Sequence, residues 1–362
     1  MIPENELYWV WLSSVDGLSA SQFYRLLSWY DDPREVWLNR NELTDCGISP
    51  AMAQRIALCA DDGYLDTLVT SIERAGARAV TLIGEGYPRC LQSIPLAPPV
   101  LYVRGSASLD SGKSFSIVGT RRPSRTGMRA AREIACGLAR EGVTVVSGLA
   151  YGIDACAHRG ALDGNGPTIA VLGNSIDKLL PRENEKLGYE ILEKGGAVVS
   201  EYAPGAGYYR SNYPMRNRVI SGLSDGVLLV EGTLSSGGMI TVNRAMEQNR
   251  DVFAVPGDLY IPQSEAPNRL LYDGAQPVLC ADDILEYYRW AERKSRGKLR
   301  EAPAPELSEE EKPVYAQLKR ERMSVGELCR ALGLPAEKLL PTLTLMEFEG
   351  LVMKENGEYI LR

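Results

Sequence analysis

Five short apolar runs, each stopped by glycine or small polar residues, set the rhythm of the chain between Ser114 and Gly257. They cover 116–120, 143–148, 169–173, 227–232 and 252–257; the first reads Ser116-Ile117-Val118-Gly119-Thr120. Short β-branched runs ended by Gly suit strands buried on both faces. Stretches with helical spacing lie between them, as at 127–140 and 237–249. Alternating strand and helix predicts a doubly wound, mainly parallel α/β sheet. Ligands of such sheets bind beyond the carboxyl ends of the strands. Those ends carry Gly, Ser, Thr and Arg here, and backbone N–H groups beside helix N-termini attract anions. The first inference is a phosphate-rich ligand.

The flanking segments have a different pattern. Residues 1–64 are expected to form a small helical domain: Val15-Asp16-Gly17-Leu18-Ser19 precedes Phe23, Leu26, Leu27 and Tyr30, and Cys46-Gly47-Ile48-Ser49-Pro50 precedes Met52, Ile56 and Cys59. An apolar–Gly–apolar turn between short helices, seen twice, resembles a helix-hairpin-helix (SAM-like) unit. Its turns carry Asp16 and Asp45 and no lysine, which favours a bundle packed on the next domain over direct DNA contact. Residues 65–288 form the central α/β domain, with an extra strand expected at 101–105. Residues 289–308, with Lys294, Arg296, Lys298, Arg300, Pro303 and Pro305, read as a linker. Residues 309–362 predict a winged helix: a helix at 312–319, a capping box at Ser324–Glu327 opening a second, a third at 335–349, and a hairpin turning at Asn356-Gly357. The third helix carries Lys338 against Glu337, Glu347 and Glu349, and the domain holds eight Lys/Arg against ten Glu. Major-groove binding needs more positive charge, so a protein-contact or auxiliary role is favoured.

Composition narrows the classes. The 362 residues carry 40 basic and 47 acidic side chains, net −7, which excludes a histone-like polycation but not a local nucleic-acid site. No apolar run is long enough for a membrane span, and the start at Met1-Ile2-Pro3-Glu4 lacks the pattern of a secretory signal. Seven scattered cysteines without a CxxC read as reduced thiols of a cytoplasmic protein. His158 is the only histidine, so no multi-histidine metal site exists, and neither metal nor cofactor is expected. It follows Asp154 by four positions; without a GxSxG elbow, a packing hydrogen bond is favoured over catalysis.

Four motifs carry candidate chemistry. Gly119-Thr120-Arg121-Arg122-Pro123-Ser124 joins the first core strand to its helix, with Gly119 for close approach and Arg121 and Arg122 for phosphate. Ser147 and Gly148 open a second glycine-containing turn that runs to Asp154, itself read as structural. No GxGxxG is present and the second strand ends in Ser147 rather than an acidic residue, which argues against NAD. Residues 208–218, with Tyr208, Tyr209, Arg210, Tyr213, Arg216, Asn217 and Arg218, mix aromatics and cations; this suits either base stacking with phosphate pairing or a surface loop of half-buried tyrosines. Glu231-Gly232-Thr233-Leu234-Ser235-Ser236-Gly237-Gly238 is a further anion cradle, but not a Walker A loop, so ATP hydrolysis has no support.

These four motifs, in this order, resemble the bacterial DNA-processing family DprA (Smf), over most of 65–288 and in both flanking domains. The resemblance implies an extended Rossmann-like fold, a homodimer joined through it, and no catalytic turnover. It also implies binding of single-stranded DNA, protection of incoming DNA and loading of RecA recombinase in natural transformation, with single-strand-binding protein as a further partner. By position it assigns DNA contact to Gly119, Arg121, Arg122, Ser147, Gly148, Arg182, Arg216, Asn217, Arg218, Ser236 and Gly237. Gly173-Asn174-Ser175 departs from the more usual Gly-x-Gly. The alternative is a nucleotide phosphoribohydrolase of the same superfamily, which needs a PGGxGTxxE glutamate where this chain has Arg244.

Overall fold

A computed structural model describes residues 2–291, 307–348, 351–355 and 357–361, in two compact units, Met1–Glu292 and Arg293–Arg362. The first unit opens with five helices, α1 (Glu4–Ser14), α2 (Ala20–Leu27), α3 (Pro33–Leu38), α4 (Pro50–Cys59) and α5 (Asp62–Arg74). Ser19, Asp32, Ser49 and Asp61 cap the last four of these by accepting a first-turn backbone N–H, each cap worth about 1 kcal/mol. The alternating region follows as β1 (Ala77–Thr81), α6 (Arg89–Gln92), β2 (Val100–Gly105), β3 (Ser114–Val118), α7 (Arg125–Arg140), β4 (Thr144–Ser147), α8 (Ile153–Asp163) and β5 (Thr168–Leu172). It continues as α9 (Glu185–Glu193), β6 (Ala197–Ser200), α10 (Asn212–Gly222), β7 (Gly226–Leu229), α11 (Gly237–Glu247), β8 (Asp251–Ala254), α12 (Glu265–Tyr272), β9 (Gln276–Pro277) and α13 (Ala281–Tyr287).

The nine strands form one sheet in the order β1-β2-β6-β5-β4-β3-β7-β8-β9. The β1–β2 and β2–β6 pairs are antiparallel and the others parallel, so the doubly wound, mainly parallel expectation holds. From β3 the chain winds outward to β4, β5 and β6, then returns to place β7 on the other side of β3. Loops that leave β3 and β7 therefore diverge, and a crevice opens at this switch point. The extra strand expected at 101–105 is β2. Two elements differ from the pattern read above. Ala197–Ser200 is a further buried strand, which ends on Ser200-Glu201 rather than glycine. Asn212–Gly222 is a helix rather than a loop, with Val219 and Ile220 in the core.

The five N-terminal helices share one core with the sheet. Trp11, Phe23, Leu26 and Ile56 cluster with Tyr102 of β2, Leu172 of β5 and Val198 of β6. On the β3 side, α7 and α8 pack Leu138 and Ile153 against Phe115 and Val145. Among the described residues no helix is long and apolar enough to cross a membrane.

The second unit is a winged helix: α14 (Glu311–Leu318), β10 (Met323–Ser324), α15 (Val325–Leu332), α16 (Ala336–Phe348), β11 (Val352–Glu355) and β12 (Glu358–Leu361). The Ser324–Glu327 capping box forms as expected. Val314, Leu328, Leu343, Met346 and Tyr359 build its core, and α16 leaves Leu340, Leu345 and Phe348 exposed. The linker cations Lys294, Arg296, Lys298 and Arg300, with Pro303 and Pro305, fall outside the described residues, as do Glu349 and Asn356.

Candidate functional site

The crevice at the switch point is a cavity of about 430 Å³, lined by residues 119–122 after β3, Asp154 on α8, Tyr213, Arg216 and Asn217 on α10, and residues 236–238 at the start of α11. Gly119 makes it possible. A Cβ there would lie 2.7 Å from Ile153 Cγ1 and 2.8 Å from the Glu231 carbonyl oxygen, so a side chain would force the walls apart. The neighbouring backbone is pinned: Thr120 N–H donates to Glu231 O at 2.7 Å, and Ile153 N–H donates to Thr120 O at 3.2 Å. This anchor projects Arg121 and Arg122 outward, exposed, their guanidinium groups making no hydrogen bond or ion pair among the described residues.

The N-termini of α8 and α11 border the crevice and that of α7 begins beside it; protein carboxylates sit at the starts of α7 and α8. Glu231 accepts from Ser124 N–H at 2.8 Å and Ser124 Oγ–H at 2.5 Å, at the start of α7. Asp154, in the first turn of α8, accepts from the N–H of Gly148 in the turn before that helix at 3.1 Å. Burial raises the Asp154 carboxyl above its ordinary range against the opposing pull of Arg216. The third terminus, of α11, is open. Among the described residues, its N-cap Ser236 makes no capping bond, the buried Ser236 Oγ has no partner, and a Cβ at Gly237 would meet nothing within 4 Å. Partial positive charge and free N–H groups suit an anion there.

Arg216 forms the back wall and is 5% exposed. Its Nε donates to Asn217 Oδ1 at 3.2 Å, and Nη1 donates to the carbonyl of Gly148 at 2.8 Å and to that of Val171. Nη2 makes no hydrogen bond among the described residues. Asn217 Nδ2 donates to Gly237 O at 3.2 Å, which fastens α10 to the open terminus.

Of the expected contact residues, the structure gathers Gly119, Arg121, Arg122, Arg216, Asn217, Ser236 and Gly237 around this crevice. The others stand elsewhere. Ser147 is buried and donates to Ile117 O at 2.7 Å, holding β4 to β3. Gly148 has its N–H engaged by Asp154 and its carbonyl by Arg216, so it offers no free donor. Arg182 is exposed on a 3-10 turn outside the crevice wall; Asn184 Nδ2 ties that turn to Leu149 O at 2.9 Å, and Tyr151 bonds Glu183 beside it. Arg218 is 4% exposed and ion-paired with Glu201 at 2.5 Å. It follows Arg216 by two positions, and residues so spaced do not share a helix face. Tyr213 and Asp154 line the crevice without having been assigned to it. The signal for Tyr213 was its place one residue before Pro214 in the aromatic–basic stretch.

His158 is fully buried, and its Nε2 accepts from Leu149 N–H at 3.3 Å. Nδ1 therefore carries the proton and donates to Thr168 Oγ1 at 2.8 Å, whose hydroxyl donates to Val145 O. Leu149 has φ 56°, a costly value for leucine, and His158 holds it there. Desolvation, aided by Arg216, pushes the imidazole pKa down to about 3. The favoured packing role fits this geometry.

Comparison with known proteins follows the same lines. Residues 78–289 match the family described as DNA recombination-mediator protein A, and residues 298–358 match the DprA winged helix domain. Protein Smf of Escherichia coli (strain K12) is 32% identical and aligns over 97% of this chain and 94% of its own length. The X-ray structure of DNA processing protein A from Streptococcus pneumoniae superposes with a TM-score of 0.68 at 32% identity, covering 79% of this chain and 98% of that one. DNA processing protein A from Helicobacter pylori, solved for its single-stranded DNA binding mode, gives a TM-score of 0.53 at 29% identity, covering 59% and 97%.

Proposed function

Because the chain belongs to the DNA recombination-mediator protein A family, we propose that its switch-point crevice binds the backbone of single-stranded DNA without regard to base sequence. The observation that carries this is the open N-terminus of α11, where Ser236 and Gly237 share one cavity with Arg121, whose guanidinium has no partner among the described residues. A phosphate there gains helix N–H groups and a guanidinium together. Arg122 and Arg182 extend the positive rim, and Tyr208, 60% exposed and 5.9 Å from the Tyr213 ring, offers a stacking face. Ser147, Gly148 and Arg218 support this work from behind, as framework.

On this reading the protein is a cytoplasmic homodimer, joined through its central sheet domain, without catalytic turnover. It shields incoming strands and hands them to RecA recombinase during natural transformation, with single-strand-binding protein as a further partner. The phosphoribohydrolase alternative gains no support: Arg244 stands where a glutamate is needed and pairs with Glu247 at 2.6 Å on α11. The test is fluorescence anisotropy with a labelled single strand of about 30 nucleotides, longer than one binding site. Log affinity should fall with log salt by about 0.7 for each phosphate neutralised. A flat salt response, or no binding at low salt, rejects the reading.

A further inference from the structure

On the other side of α10 lies a second cavity, of about 580 Å³, bounded by the α1–α2 turn, the start of β2, the chain after β6, and α10 itself. The two faces of α10 thus serve two hollows: Tyr213, Arg216 and Asn217 border the crevice, while Asn212, Met215 and Arg218 border this cavity. Arg218 Nη2 is held by Glu201. Its Nε and Nη1, and the Nδ2 of Asn212, are shut off from solvent and have no hydrogen-bond partner among the described residues. Buried donors are nearly always bonded, so three orphaned donors on residues that line one cavity mark a seat for acceptor atoms once the wall opens.

The lining also says what kind of acceptor fits. Arg55 and Arg218 balance Asp16 and Glu201, so the wall has no net charge to reward a full anion. Phe23, Tyr202 and Tyr209 present aromatic surface, which suits a flat ring. The volume falls among those that hold small organic ligands. The roof is a latch: Asp16 Oδ1 accepts from Gly207 N–H at 3.2 Å, and Oδ2 accepts from Tyr209 O–H at 2.7 Å. The latched segment leads directly into Tyr213 of the crevice.

We propose that this cavity takes a nucleobase, whose carbonyl oxygens and ring nitrogens accept from Arg218 and Asn212. The base comes either from the strand held in the crevice, a source that rests on the DNA reading above, or from a free nucleoside. Because the orphaned donors are sealed as the chain stands, entry of the ring goes with opening of the Asp16–Tyr209 latch.

The test uses the full chain and two folded variants checked by thermal melting, Ala206→Trp to fill the cavity and Asn212→Leu to remove a donor. Each is titrated with labelled oligothymidine and with an abasic strand of the same length, about 20 nucleotides. The wild type should prefer oligothymidine by roughly tenfold. The preference should vanish in both variants while binding of the abasic strand stays at the wild-type level. A preference absent in the wild type, or retained in both variants, overturns a strand-borne base in this cavity. If the wild type binds neither strand, the crevice reading fails instead, and free nucleosides decide the cavity. A rise in melting temperature with thymidine or another nucleoside, lost in Asn212→Leu, supports it, and no rise with any of the common nucleosides overturns it.

Discussion

Arg121 and Arg216 line the same crevice and are put to opposite uses. Arg121 is exposed and has no partner among the described residues, so removing it should cost binding alone. Arg121→Ala is expected to lower single-strand affinity by roughly tenfold and to flatten the salt slope by about 0.7, without moving the melting temperature; anisotropy at two salt concentrations checks it. Arg216 is part of the framework. Arg216→Ala would strip donors from Gly148 O and Val171 O, and is expected to destabilise the fold by about 2–4 kcal/mol in urea denaturation. His158 gives a pH signature. Its folded pKa of about 3 lies below the ordinary 6.5, so between those values the unfolded chain binds a proton that the folded chain refuses. Its contribution is therefore complete above pH 6.5 and is lost as pH falls toward 3, at up to about 1.4 kcal/mol per pH unit. The difference in stability between wild type and His158→Asn, measured at pH 7 and pH 5, isolates this from Asp154 and Glu201, whose raised values act with the opposite sign. The residue types around the crevice were legible in the sequence, because glycine, serine and arginine at strand ends have few other uses. Which arginines face outward was not, since that depends on how α10 seats across the strand ends.

Among the elements, α11 and α10 do most to define the site. The start of α11 has room that only function should defend. Gly237→Glu adds a side chain whose Cβ meets nothing within 4 Å, and a carboxylate at a helix N-terminus favours the fold. The same carboxylate would occupy the proposed phosphate seat. Unchanged or slightly raised melting, with single-strand affinity reduced roughly tenfold or more, is the expected pair of results. Helix α10 shows where pattern reading stops. Its tyrosines and arginines disguise a helix whose apolar positions Met215, Val219 and Ile220 follow helical spacing only from Met215 onward. Strand β6 was hidden differently, because its four residues end in Ser200 and are followed by Glu201, without the glycine stop of the other runs.

For the whole first unit, the shared core decides which parts can be removed. Tyr102, Leu172 and Val198 of the sheet are buried beneath the N-terminal helices. A chain lacking residues 1–64 would expose them, at about 1.5–3 kcal/mol for each large apolar side chain, against a usual net stability of about 5–15 kcal/mol. Loss of a cooperative thermal transition in that truncation is expected, while a chain ending at Ala291 should keep one; circular dichroism melts of both distinguish the cases. The position of β3 also bears on biosynthesis. Ser116 pairs with Val227, roughly 110 positions later. A ribosome adding roughly 5–20 residues per second needs about 5–20 s to supply that partner. Until β7 emerges, the nascent chain exposes one unpaired edge of its central strand, a ready template for wrong pairing.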